Sequence, residues 1–144
     1  MQVRTTRFAN VEIQPSDLIR FPDGLLGLED CRTWVLLADA QNDALGWLQS
    51  TTRPEVALAV VSPRRFVPGY QLHVFRRELG SLDLARPEDA HVLAIVSKNE
   101  RGITLNLKAP IVMNLDKRTG RQVIANGELP LQHELPQPAL RKTA

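Results

Sequence analysis

Residues 103 to 108, Ile-Thr-Leu-Asn-Leu-Lys, alternate apolar and polar positions, and after Ala109-Pro110 the alternation resumes at Ile111. Successive side chains of an extended chain point to opposite faces. Ile103, Leu105 and Leu107 therefore predict a buried face, and Thr104, Asn106 and Lys108 a wet one. Pro110 has no N–H for a ladder and biases Ala109 toward an extended or bent conformation, which predicts a corner between two strands, 103–108 and 111–116. Runs of similar length predict further strands at 2–8, 11–13, 18–21, 33–38, 46–51, 56–62, 71–75, 91–98 and 121–125. Turn residues separate them, as in Phe21-Pro22-Asp23-Gly24, Pro68-Gly69 and Asn126-Gly127. No long segment carries a helical period. Short helices are expected at 29–32, 64–66 and 87–90, the last with Pro at a first helical position ahead of two acids.

This pattern predicts a mainly β fold: a single compact, antiparallel β-barrel-like domain over 1–135 with a few short helices. The stretch from Leu129 to Ala144 places three prolines within nine residues and ends basic. It predicts a poorly ordered tail over 136–144.

A chain of 144 residues suits one core rather than two. No apolar run approaches the roughly 20 residues of a membrane span, and no apolar segment of signal-peptide type follows the N-terminus. A cytoplasmic protein without a membrane segment is expected. Cys31 is the only cysteine, so an internal disulfide is excluded. The net charge of +2 is laid out unevenly, at −3 over residues 1–50, +1 over 51–97 and +4 over 98–144.

Catalytic constellations are absent from the pattern. His73, His91 and His133 lack paired metal-ligand spacing, Ser50, Ser62 and Ser81 lie outside a nucleophile-elbow frame, and Gly24 to Gly27 is too short for a phosphate loop. Cys31 follows Glu29 and Asp30, whose charge disfavours a thiolate nucleophile. A non-enzymatic protein without cofactor or metal is the expectation. A small RNA-binding β-barrel is the alternative, using Arg64-Arg65-Phe66, Arg76-Arg77 and the basic turn Lys117-Arg118-Thr119-Gly120-Arg121 on phosphates. Seven aromatic residues are few for a base-stacking platform, so direct nucleic-acid binding is not expected.

Several segments together resemble one family, the bacterial flagellar assembly factor FliW. They are FPDGLLGLED at 21–30, WVLL at 34–37, WLQSTTRPEVALAVVSPRRFVPGY at 47–70, HVLAIVS at 91–97, TLNLKAPIVMN at 104–114 and RQVI at 121–124, spread over about residues 2–135. The resemblance implies a β-barrel-like fold and a cytosolic binding protein. It implies two partners taken in turn: flagellin, and the RNA-binding translational regulator CsrA, whose repression of flagellin synthesis is relieved when flagellin leaves. A monomer is expected when neither is bound.

A chaperone for amphipathic flagellin termini needs an exposed apolar strip rimmed by polar groups. Leu25, Leu26 and Leu28 are candidates, in a turn that could instead fold back and plug the barrel end. Asn106 and Asn114 could pair with a partner's backbone or satisfy a neighbouring turn. Trp47 and Tyr70 are the candidate aromatic anchors, with core burial the competing reading for Trp47. The sequence pI near 9.0 argues against displacing RNA by charge repulsion. Any antagonism of the regulator should act away from its RNA contacts or through the acidic N-terminal third.

Overall fold

The computed structural model describes residues 1–135, in which ten strands and one helical turn are assigned. β1 (Gln2–Arg4) and β2 (Asn10–Glu12) form a separate hairpin. Then come β3 (Leu18–Arg20), β4 (Thr33–Ala38), β5 (Leu45–Ser50), β6 (Ala57–Val61), α1 (Arg76–Leu79), β7 (His91–Asn99), β8 (Gly102–Asn114), β9 (Thr119–Gln122) and β10 (His133–Glu134). The tail expected over 136–144 lies outside the described residues.

Strands β3 to β9 each pair antiparallel with the next, and β9 returns to β3 to close a seven-stranded barrel. An odd number of alternating strands cannot close with antiparallel pairs throughout. The mismatch falls at β3–β9, which pair in parallel at Arg20 and Thr119 alone. The antiparallel expectation thus holds for every barrel pair except this one.

Inside the barrel lie Ile19, Phe21, Trp34, Leu48, Val60, Ile111 and Met113, all essentially solvent-free. Each such side chain contributes roughly 1.5–3 kcal/mol relative to exposure. Phe21 meets Trp34 edge to face at 6.4 Å, and the Trp34 indole N–H donates to Cys31 O at 2.9 Å, so the largest core residue buries no unpaired polar group. β4 is covered on both faces, since Val35 packs outward against Val3 and Ile13 of the hairpin segment. The long connection from Ser62 to Ala90 folds over the outer wall, with Leu82 against Val112 and Val123, and Tyr70 in a cluster with Val61 and Ala94.

The 103–116 region differs from two strands with a break. β8 is assigned continuously, and the corner survives as a bulge: Leu93 pairs with Ile111 and Ile95 with Asn106, so Ala94 alone faces residues 107–110. Leu105 and Leu107 are buried as expected, but Thr104 is buried too, because β8 has neighbours on both edges; its hydroxyl donates to Ser97 O. Residues 71–75 join no ladder, and one long-range backbone bond, Asn126 N–H to His73 O, ties them to the segment after β9. Residues 29–32 form no helix, because two successive turns, closed by Leu28 N–H to Leu25 O and Cys31 N–H to Leu28 O, use up the local backbone groups. Pro63–Arg65 and Pro87–Asp89 are 3-10 turns, and the one α-helical turn, Arg76–Leu79, lies where no helix is predicted.

Gly120 lies against the Phe21 ring, and a Cβ there would come within 2.4 Å of Phe21 Cζ. Phe21 is fully buried and has nowhere to move. Gly120→Ala should therefore cost about 1–3 kcal/mol or more, read as a lower urea midpoint with unchanged slope; a midpoint equal to the parent's would mean the β9–Phe21 packing is wrong.

Candidate functional site

The turn at residues 21–30 is built by its own backbone. Gly24 has φ +66, and a Cβ on it would come within 2.6 Å of Glu29 Cα, so only glycine lets the loop double back so tightly. The doubling back sends Leu25 (2% exposed) into the barrel core, with Leu28 packed beside it. Leu26, at the tip, is left 63% exposed. Its N–H donates to Gln122 Oε1 at 2.8 Å, and the Gln122 amide donates to Ala109 O at 2.9 Å, so one side chain of β9 fastens the tip to the corner of β8. The three leucines thus divide: two close the barrel end and one is offered to solvent.

The other candidates do not join them. Trp47 projects from the outer wall, half-buried under Phe8 (edge to face, 5.7 Å) and Arg7 (4.4 Å from the ring centroid). Its indole N–H donates to Asp39 Oδ1 at 3.0 Å. That bond, helped by the Gln41 N–H, holds the Asp39 carboxyl below the usual carboxylate range, so it is ionised at neutral pH. Tyr70 is buried in the cluster on the outer wall. Asn106 accepts the N–H groups of Lys108 and Ala109, at 3.1 and 2.9 Å, and so makes the corner. Asn114 is buried and donates to Leu82 O at 2.9 Å, tying the 80–83 turn to β8. In this conformation both asparagines spend their side chains on internal backbone.

The segments tied to this turn carry further exposed apolar residues, which the sequence reading passes over. Ile124 is two positions beyond Gln122, on the same side of an extended segment, and is 45% exposed. Val123 and Val74 pack together in one cluster, which leaves Ile124 and Phe75 to the opposite side of segments joined by the Asn126–His73 bond. Phe75 is 56% exposed, with the Arg77 guanidinium 4.9 Å from its ring centroid. Arg121 binds the assembly together, donating to Glu78 O at 2.9 Å and standing 3.9 Å from Asp23. Three exposed apolar side chains, Leu26, Ile124 and Phe75, thus stand on segments linked by Gln122, by the Asn126–His73 bond and by Arg121, with Asp23 and Glu29 in the turn of Leu26 and Arg76 and Arg77 directly after Phe75; we refer to them as the strip. The alternation over 121–125, with Val123 and Ala125 inward, was the available signal for Ile124.

The basic segments are largely engaged within the molecule. Lys117 pairs with Asp83, Arg65 with Asp43, Arg118 donates to Asp17 O, and Arg64 to Tyr70 O. Arg76 and Arg77 have no carboxylate partner among the described residues. Among the described residues no cluster of three or more His, Cys, Asp or Glu is placed to hold a metal ion, and no helix is long and apolar enough to cross a membrane.

Comparison with known proteins gives a consistent result. The family model described as FliW protein matches residues 2–135. A flagellar assembly factor FliW of Bdellovibrio bacteriovorus is 36% identical over 126 residues, covering 86% of this chain and 72% of the relative. That of Moorella thermoacetica is 39% identical over 130 residues, covering 88% and 82%. A crystal structure of a flagellar assembly factor FliW superposes with a TM-score of 0.87 at 28% identity, covering 96% of this chain and 99% of that one.

If Asn106 acts on its own corner, Asn106→Ala strands two backbone N–H groups and should cost about 1–3 kcal/mol. Chemical denaturation measures this; a variant as stable as the parent would show that the corner does not depend on the amide.

Proposed function

Because the chain belongs to the FliW family, we propose that it is a cytoplasmic flagellar assembly factor that holds flagellin before export and, once released, binds the translational regulator CsrA and relieves its repression of flagellin synthesis. The observation that carries the first half is the strip Leu26–Ile124–Phe75, three large apolar side chains kept in solvent by well-packed segments. Exposed apolar groups rimmed by charge suit an amphipathic segment of a partner protein. Leu25 takes no direct part, because it is core.

The regulator is assigned a different surface. With a net positive chain, antagonism by repelling phosphate is unfavourable, so it acts without covering the regulator's RNA contacts. The RNA-binding alternative is less well supported, since Lys117, Arg118 and Arg121 are held by Asp83, Asp17 and Asp23 with Glu78.

Two measurements test this reading. Leu26→Asp should weaken binding of monomeric flagellin at least about ten-fold, in the range of an interface anchor, with fold and stability kept, whereas Arg65→Glu should change it little. Flagellin binding unaffected by Leu26→Asp, Phe75→Asp and Ile124→Asp alike would remove the strip from the interface. For the regulator, its affinity for a target RNA is measured with and without this protein over a salt series. A loss of affinity that persists at high salt is expected, and no effect at any salt would eliminate the antagonist role.

A further inference from the structure

Two dipeptides of the chain place an aspartate or asparagine before glycine, Asp23-Gly24 and Asn126-Gly127. Glycine has no Cβ to obstruct the approach of its own nitrogen to the preceding side-chain carbon. Asparagine in that position is thermally labile. The fold treats the two pairs differently. Gly24 N–H donates to Phe21 O at 2.8 Å, so its nitrogen is occupied. Gly127 N–H has no partner among the described residues, and neither has the carboxamide of Asn126, which is exposed.

The other asparagines lack this combination. Asn42 and Asn99 accept the N–H groups of Ala44 and Arg101, and Asn106 and Asn114 are the internal ties described above. Asn10 precedes the branched Val11 within the β1–β2 ladder.

Around residue 126 the chain is fixed by bonds that leave the reacting groups unused. Asn126 N–H donates to His73 O, and the Lys108 ammonium donates to Ala125 O at 2.8 Å and to Gly127 O at 2.6 Å. The Gly127 nitrogen lies in the chain between those two carbonyls. A fixed positive charge there favours loss of its proton. Apart from its chain neighbours, no heavy atom lies within 4 Å of a Cβ placed on Gly127, which leaves room for a ring.

We propose that Asn126 is a modification site, converted without an enzyme to aspartate and isoaspartate. The Gly127 nitrogen, its proton lost to hydroxide, bonds to Asn126 Cγ; the Cγ–Nδ2 bond breaks, and the leaving nitrogen takes a proton from water and departs as ammonia. Water then opens the resulting cyclic imide, at Cγ to give aspartate or at the Asn126 backbone carbonyl to give isoaspartate. Water is the sole co-reactant, and nothing is oxidised or reduced. Either product sets a new carboxylate in the loop that the Lys108 ammonium bridges, and isoaspartate also inserts one methylene into the main chain between the two bridged carbonyls. The Asn126–His73 bond leaves from that same residue, so the modification loosens the tie between the segments that carry Ile124 and Phe75.

The test is peptide mapping by mass spectrometry of the full chain, aged at mildly alkaline and at mildly acidic pH, with isoaspartate counted by enzymatic methyl transfer. Deamidation at residue 126 should outpace that at every other asparagine at least about ten-fold, a barrier difference of about 1.4 kcal/mol. It should quicken with pH, because the attacking amide reacts ionised. Isoaspartate should form at residue 126 and not at Asp23. Asn126→Gln, which would have to close a larger ring, should lose the reaction, and Gly127→Ala should slow it at least about ten-fold. Hydrogen exchange of the residue 126 amide should be faster in the isoaspartate form than in the fresh protein. A rate at residue 126 no higher than at Asn10 or Asn42, isoaspartate arising at Asp23 as fast as at residue 126, or an Asn126→Gln protein that forms isoaspartate at the parent's rate would each overturn the proposal.

Discussion

The barrel depends on one strand changing partners halfway along. On its inner flank β8 stays with β7 throughout, but on the other flank it pairs with β10 at Thr104 and Leu105 and with β9 from Ile111 to Asn114. The switch occurs at residues 106–110, where side chains and neighbouring segments take over from the β7 ladder. Asn106 Oδ1 takes the N–H groups of Lys108 and Ala109, Lys108 O and Pro110 O accept from Ala125 and Val123, and the Lys108 ammonium donates to Ala125 O and Gly127 O. A buried bend without such partners would cost about 1–3 kcal/mol for each orphaned group. The Asn-Leu-Lys-Ala-Pro sequence is therefore a device for turning a buried strand while leaving its backbone paired.

Closure has a second consequence, at the barrel end. Once β9 is brought beside β3, Gly120 admits the Phe21 ring, and the turn that follows Phe21 must fold inward over it. Leu25 and Leu28 fill that end, and the chain geometry between them forces Leu26 outward. The exposed leucine is thus a by-product of the plug, fastened by Gln122 to the same corner that bends β8. Core and surface here are set by the same few contacts.

Much of this was legible in the sequence, because alternation reports burial directly. Strands 33–38, 46–51, 56–62 and 91–98 appear within a residue or so of their predicted bounds. The reading failed where partners, rather than pattern, decide. Residues 71–75 alternate like a strand, but the segment after β9 reaches them with only one backbone bond, from Asn126, so they join no ladder. Asn106 and Asn114 look like free amides in one dimension, and their use depends on a bend and on a turn 31 or 32 residues away. Phe75 and Ile124 each follow a valine in the same apolar run, and only the packing of Val74 and Val123 into one cluster leaves the two of them exposed.

The strip and the half-open cavity on the outer wall share one segment. From Tyr70 to Phe75 the side chains alternate: Tyr70, Leu72 and Val74 line the cavity, while Phe75 belongs to the strip. Leu79 of α1 also lines the cavity, and Arg76 and Arg77 of the same turn edge the strip. This segment is read on both faces and is held by a backbone bond from Asn126 to His73 O and by Arg121 of β9 to Glu78 O, with no strand ladder of its own. The exposed apolar residues of this outer layer are thus set by side-chain packing and a few long-range bonds, whereas the barrel, with its corner and its plug, is set by continuous ladders.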